Sequence, residues 1–180
     1  MKYLSLLLIA AIVVSCKEKV VEPAVEEISQ RYADVDTSSN NVVHLSDFED
    51  NYHSLDEVIS AHKGKMVYMD IWASWCGPCK AEMPASHKLQ EKYKDSDVVF
   101  LYVSIDRNNK AWEASARQFN LTENSYLARN YPKAKLFQTN NVRSIPRYML
   151  FDKSGRLVDS DANRPSSKRI VEVIDAFLSI

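Results

Sequence analysis

The stretch DIWASWCGPCKAEMP, Asp70 to Pro84, runs from apolar residues straight into two cysteines. Pro78 lies between Cys76 and Cys79, and Pro84 follows. Upstream, MVYMDIW (66–72) is apolar except for Asp70. An apolar run interrupted only once marks a strand covered on both faces. From Cys76 to about Tyr93 the spacing becomes helical. The cysteine pair therefore stands where a buried strand gives way to a helix.

That junction alters a thiol. The first turn of a helix has unpaired N–H groups and a partial positive charge. A thiolate there is stabilised, so its pKa drops below the free value of about 8.5. The thiolate is the nucleophile, which makes Cys76 reactive at neutral pH. Cys79 lies one helical turn on, within reach of a disulfide, and Pro78 sits where a missing N–H costs little. The pair can cycle between dithiol and disulfide. A static structural disulfide, half of a metal site and two core cysteines are the other readings. A zinc site needs two more ligands; there is no second C-x-x-C, and His44, His53, His62 and His87 show no paired spacing.

Outward from the motif, VVHLSDF from Val42 reads as a first strand, and SLDEVISAHKGK puts Leu55, Val58 and Ile59 on one helical face with Gly64 as a stop. VVFLYVSID is a second buried strand, and NKAWEASARQFN a helix with Trp112, Ala116 and Phe119 on one side. YPKAKLFQTNNV suggests a short helix and a loop. RYMLFD-KSG-RLVDS reads as a hairpin, and the tail as a helix capped by Ser166 or Ser167, with Ile170, Ile174, Phe177 and Leu178 on one face. This order argues an α/β domain, a mixed sheet with helices on both faces. With only 3 glycines in 180 residues, turns must rely on Asn, Asp, Ser or Pro.

The N-terminus, MKYLSLLLIAAIVVSC, has Lys2 and then an apolar run from Leu4 to Val14. It is shorter than the roughly 20 residues a spanning helix needs. Ending at Ser15-Cys16, it resembles a bacterial lipoprotein signal, although Val13 and Val14 depart from that pattern. The resemblance implies a signal peptide over 1–15, lipidation of Cys16 and a tether over 16–41 before a domain over 42–180. An ordinary cleaved signal or an uncleaved anchor is the alternative. Of 3 cysteines, lipidation would consume Cys16 and leave Cys76 and Cys79 as a pair. A net charge of −1 gives no reason to expect nucleic acid as a partner.

VYMDIWASWCGPCKAEMP resembles the active-site segment of the thioredoxin superfamily, closest to its membrane-anchored, extracytoplasmic TlpA/ResA-like thiol–disulfide oxidoreductases. The resemblance covers roughly Val42 to Ile180 and implies a thioredoxin-like fold. It assigns Cys76 as the attacking cysteine and Cys79 as the resolving one. Asp70 matches the buried acid of thioredoxins, and Glu82 the acid near the resolving cysteine in the ResA-like group. A buried carboxylate beside Cys79 has a raised pKa and can exchange the proton that the resolving thiol loses. The plainer alternatives are an edge-facing or hydrogen-bonded Asp70 and an exposed Glu82 paired with a lysine. Pro84 would kink the helix.

Pro146, in RSIPRYML, matches the superfamily's cis-proline loop, which would leave the Ile145 backbone free to pair with a substrate strand. Thioredoxin has Thr at the position of Ile145. No glycine stands between Asp159 and the last helix, another departure, and 108–141 is longer than in thioredoxin. Trp75, Gly77, Pro78, Ile145 and Pro146 are the residues that the resemblance sets against substrate. Trp72 and Trp112 read as core.

The resemblance implies no cofactor beyond the redox-active Cys76–Cys79 disulfide. It implies disulfide-containing protein substrates, a membrane thiol–disulfide electron donor, and a site on the periplasmic side, lipid-anchored to a bacterial membrane. The Gly-Pro dipeptide is thioredoxin's, whose potential is about −270 mV, which favours a reductase. An oxidase or isomerase, or an assembly module with a static bridge, remains open. Cytochrome c biogenesis and general reduction of misoxidised proteins are equal expectations. No peroxidatic P-x3-[ST]-x2-C pattern is present.

Overall fold

The computed structural model describes residues 36–179. The signal segment, Cys16 and the tether up to residue 35 lie outside the described residues.

The two apolar runs form the centre of the sheet. Strand β3 (Met66–Trp72) is buried at every residue, and so is β4 (Val98–Ser104). They pair in parallel from Met66↔Val98 to Trp72↔Ser104. On the other side of β3 runs β6 (Arg147–Phe151), antiparallel, followed by β7 (Leu157–Asp159). The opposite half holds β1 (His44–Ser46), β2 (Tyr52–Ser54) and β5 (Ser125–Ala128). The seven strands lie in the order β2-β1-β5-β4-β3-β6-β7. The expected α/β mixed sheet is present. Two of its strands, β2 and β5, the sequence reading missed, and the first strand is shorter than VVHLSDF.

Among the described residues there are five helices: α1 (Leu55–Ala61), α2 (Gly77–Tyr93), α3 (Asn109–Gln118), α4 (Lys135–Thr139) and α5 (Lys168–Leu178). Helix α1 starts with a reciprocal cap between Ser54 and Glu57. It ends at Ala61 with His62 as cap, so Gly64 lies beyond the helix end; its N–H donates to the Lys153 carbonyl at 2.9 Å. Ser167 caps α5, whose Ile170 and Ile174 are fully buried. Trp72 and Trp112 are core residues, as expected. The scarcity of glycine shows in the turns: Asp50, Asn120, Asn124 and Asn141 all have positive φ. Asn and Asp tolerate that region better than other non-glycine residues. Among the described residues no helix is long and apolar enough to cross a membrane.

Candidate active site

The chain leaves β3 at Trp72 and enters α2 at Gly77, five residues later. Asp106, just past β4, holds that turn. Its carboxylate accepts from the Ser74 N–H at 2.8 Å and the Ser74 hydroxyl at 2.7 Å, and from Ser104 Oγ at 2.7 Å. The Cys76 N–H donates to the Ala73 carbonyl at 3.0 Å. Cys76 is thereby placed as the N-cap of α2, with Gly77 and Pro78 as the first helical residues.

Cys76 and Cys79 are joined in a disulfide, with Cα atoms 5.3 Å apart. The Cys79 N–H donates to Cys76 Sγ at 3.1 Å. A helix-terminal N–H is thus already aimed at the sulfur that would carry negative charge after reduction. Cys76 is 5% exposed and Cys79 fully buried, so Cys76 is the outer residue of the pair. Gly77 and Pro78 are exposed, and a Cβ built on Gly77 would meet nothing within 4 Å. Trp75 is 65% exposed, an unusual position for an indole.

Beneath the pair lies a set of polar groups in an apolar surround. Directly opposite residues in a ladder share a face. Asp70 stands opposite Tyr102 of β4 and Tyr148 of β6, with Tyr68 two residues back on the same face. The Tyr102 hydroxyl is 2.9 Å from Ser86 Oγ of α2, so α2 covers this face. The buried residues of α2 include Cys79, Glu82, Met83 and Ser86, at helical spacing. Asp70 therefore lies under the helix face that carries the inner cysteine.

Neither oxygen of Asp70 has a hydrogen-bond partner among the described residues. Burial, and secondarily the charge of Glu82, push its carboxyl up to about 8. Asp70 thus stands in a central strand without a hydrogen bond, neither at an edge nor hydrogen-bonded. Burial also raises Tyr68, Tyr102 and Tyr148, which stay neutral phenols.

Glu82 is also buried, and its partner is an arginine rather than a lysine. Its carboxylate accepts from the Ser166 N–H and hydroxyl, each at 3.0 Å, and Arg164 lies 3.5 Å away. The loop before α5 is thus fastened to α2 next to Cys79. Pro84 falls inside α2 on its exposed side.

The Ile145–Pro146 peptide is cis, and so is Tyr131–Pro132, which the sequence reading did not single out. Among the described residues Ile145 has no backbone hydrogen bond. Ile145 and Trp75 both line a cleft of about 1150 Å³. The structure therefore brings the pair, Asp70 and Glu82 into one column, and sets Trp75 and Ile145 along one cleft. Asp106 is the positioning residue that sequence reasoning missed; the only signal was a serine just past one strand and an aspartate just past its neighbour.

A family model described as thioredoxin-like matches residues 64–157. A thioredoxin-like protein of Bacillus subtilis, YneN, is 31% identical over 115 residues, 63% of this chain and 65% of that protein. The thiol-disulfide oxidoreductase ResA of Bacillus cereus is 31% identical over 102 residues, 54% of each chain. The matched segments thus span roughly half to two thirds of these relatives. A crystal structure of a candidate thiol-disulfide oxidoreductase from Bacteroides vulgatus is similar with TM-score 0.65 and 36% identity, over 76% of this chain and 92% of that one.

Proposed function

Because the chain belongs to the thioredoxin-like family, we propose that it is a thiol–disulfide oxidoreductase that reduces disulfides of extracytoplasmic proteins. The observation that carries this reading is the Cys76–Cys79 disulfide at the start of α2, with the Cys79 N–H on Cys76 Sγ.

The dithiol form reacts in two steps. The Cys76 thiolate attacks one sulfur of the substrate disulfide; a mixed disulfide forms and a substrate thiolate leaves. Cys79 then loses its proton and attacks Cys76, releasing the second substrate thiol. Substrate gains two electrons and two protons, and the Cys76–Cys79 bond is restored. Asp70 accepts the Cys79 proton in its ionised form: it lies beneath the same helix face and titrates at about 8, so the accepting fraction grows as pH approaches that value. Glu82, fixed by Ser166 and Arg164, raises Asp70 by its charge. Trp75, Gly77, Pro78, Ile145 and Pro146 form the contact surface for the substrate segment.

The reducing direction is supported by the Gly-Pro pair between the cysteines. The N-terminal pattern supports lipidation at Cys16 and attachment to a bacterial membrane on its periplasmic side. A membrane thiol–disulfide carrier would then regenerate the dithiol. In the test, the full chain is reduced, freed of reductant and mixed with a disulfide-bonded protein. Stoichiometric reduction is expected, with a trapped mixed disulfide through Cys76 in C79S and none in C76S. A chain that reduces nothing, or a C76S variant as active as wild type, overturns the reading.

A further inference from the structure

The cleft beside Trp75 and Ile145 carries charge that the reaction described above does not use. Three of its lining residues are Arg107, Arg129 and Arg143; its one lining carboxylate is Asp106. Asp106 is buried and occupied by Ser74 and Ser104. Arg129 is ion-paired with Asp50 and donates to Asn109 Oδ1 at 2.9 Å. Arg107 and Arg143 are exposed, and neither has a carboxylate partner among the described residues. The chain as a whole has a net charge of −1, so this is a local concentration, not a general excess of cations.

The two free guanidiniums come from two separate loops. Arg107 directly follows Asp106, the residue that fixes the turn into Cys76. Arg143 is two residues before Ile145, on the loop with the open backbone. Both arginines line the same cleft as Trp75 and Ile145, so a segment bound there would lie in their field. Guanidinium forks match carboxylates in geometry and keep their charge at all working pH values. A cleft with an excess of one sign of charge concentrates the opposite sign and speeds encounter.

We propose that this cleft selects disulfide substrates whose cysteine is flanked by aspartate or glutamate, with Arg107 and Arg143 as specificity residues. The inference rests on the oxidoreductase reading and names the substrate class of that same site. It adds no redox step: electrons pass from the Cys76/Cys79 dithiol to the peptide disulfide as above.

The test uses the full chain, reduced and freed of reductant, in single-turnover reduction of matched synthetic disulfide peptides. One carries Asp and Glu beside its cysteines, one Asn and Gln, and one Lys. At low salt the acidic peptide is expected to react about five- to tenfold faster than the Lys peptide, with the neutral one between. The preference should shrink towards unity at 1 M salt, where the screening length is about 3 Å. In R107E/R143E the order should reverse. Because the readout is a ratio of rates on one protein preparation, a loss of active fraction does not mimic reversal. The salt dependence of the wild type tests the idea even if the variant fails to fold. Equal rates on all three peptides at low salt overturn this inference and leave the oxidoreductase reading intact. No reduction of any peptide overturns both.

Discussion

The carboxylate of Asp106 holds Ser74 by two hydrogen bonds, one to its N–H at 2.8 Å and one to its hydroxyl at 2.7 Å. The end of β4 thereby sets the course of the turn that delivers Cys76. D106A would leave three donors without their acceptor, at a cost of about 3 kcal/mol. Stability alone would not separate positioning from packing, so the readout is the potential of the Cys76–Cys79 pair. D106A should shift it, whereas L89A, a truncation of a buried residue at the far end of α2, should lower stability and leave the potential in place.

Asp70 gives the protein a pH-dependent stability of defined sign. Its folded carboxyl is raised from 3.8 to about 8, so between those values the folded chain keeps a proton that the unfolded chain has lost. Stability should fall as pH rises through this window and level off above it. The full contribution is on the order of 5 kcal/mol. D70N keeps the shape and removes the titration. Denaturant unfolding of the oxidised protein at pH 5 and pH 8 should show a large loss in wild type and a small one in D70N. On the proposed mechanism the resolving step should also slow in D70N, which has no carboxylate to take the Cys79 proton.

Glu82 should tune Asp70 from across the interface between α2 and the sheet. Replacing it by Gln keeps the size and most of the contacts to Ser166 but removes the charge that raises Asp70. In E82Q the Asp70 carboxyl carbon, followed by NMR against pH, should titrate lower than in wild type. An unmoved midpoint would mean that burial alone sets Asp70.

Trp75 offers an exposed indole directly before Cys76 in the chain. W75A should change stability by less than about 0.5 kcal/mol, as for other exposed positions. Loss of an aromatic anchor at an interface should slow reduction of a protein disulfide about fivefold or more. The rate with a small dithiodipyridine should change far less.

The sequence made the centre of the sheet legible because both buried strands are long and unbroken, and because Cys76, Gly77 and Pro78 mark a helix start as well as a chemistry. Strands β2 and β5 escaped for a physical reason. YHS and SYLA are three and four residues long and mix polar with apolar side chains. They are strands because β1 and β4 supply partners, not because of their own pattern. The two serines before α5 show the same limit. Either could cap the helix, and the structure gives Ser167 that role and Ser166 to Glu82. Which acids were buried was open in the sequence. Asp70 in its apolar strand was the clearer case; Glu82 depended on Arg164 and Ser166, 82 and 84 residues away.

The most direct measurement is the equilibrium potential of Cys76–Cys79 in the full chain, obtained in thiol buffers with trapping of free thiols. A reductase requires a value at or below about −250 mV. A value above about −180 mV would reverse the proposed direction and make the protein an oxidant or isomerase. A pair that stays oxidised in every buffer while the protein remains folded would contradict the catalytic account itself.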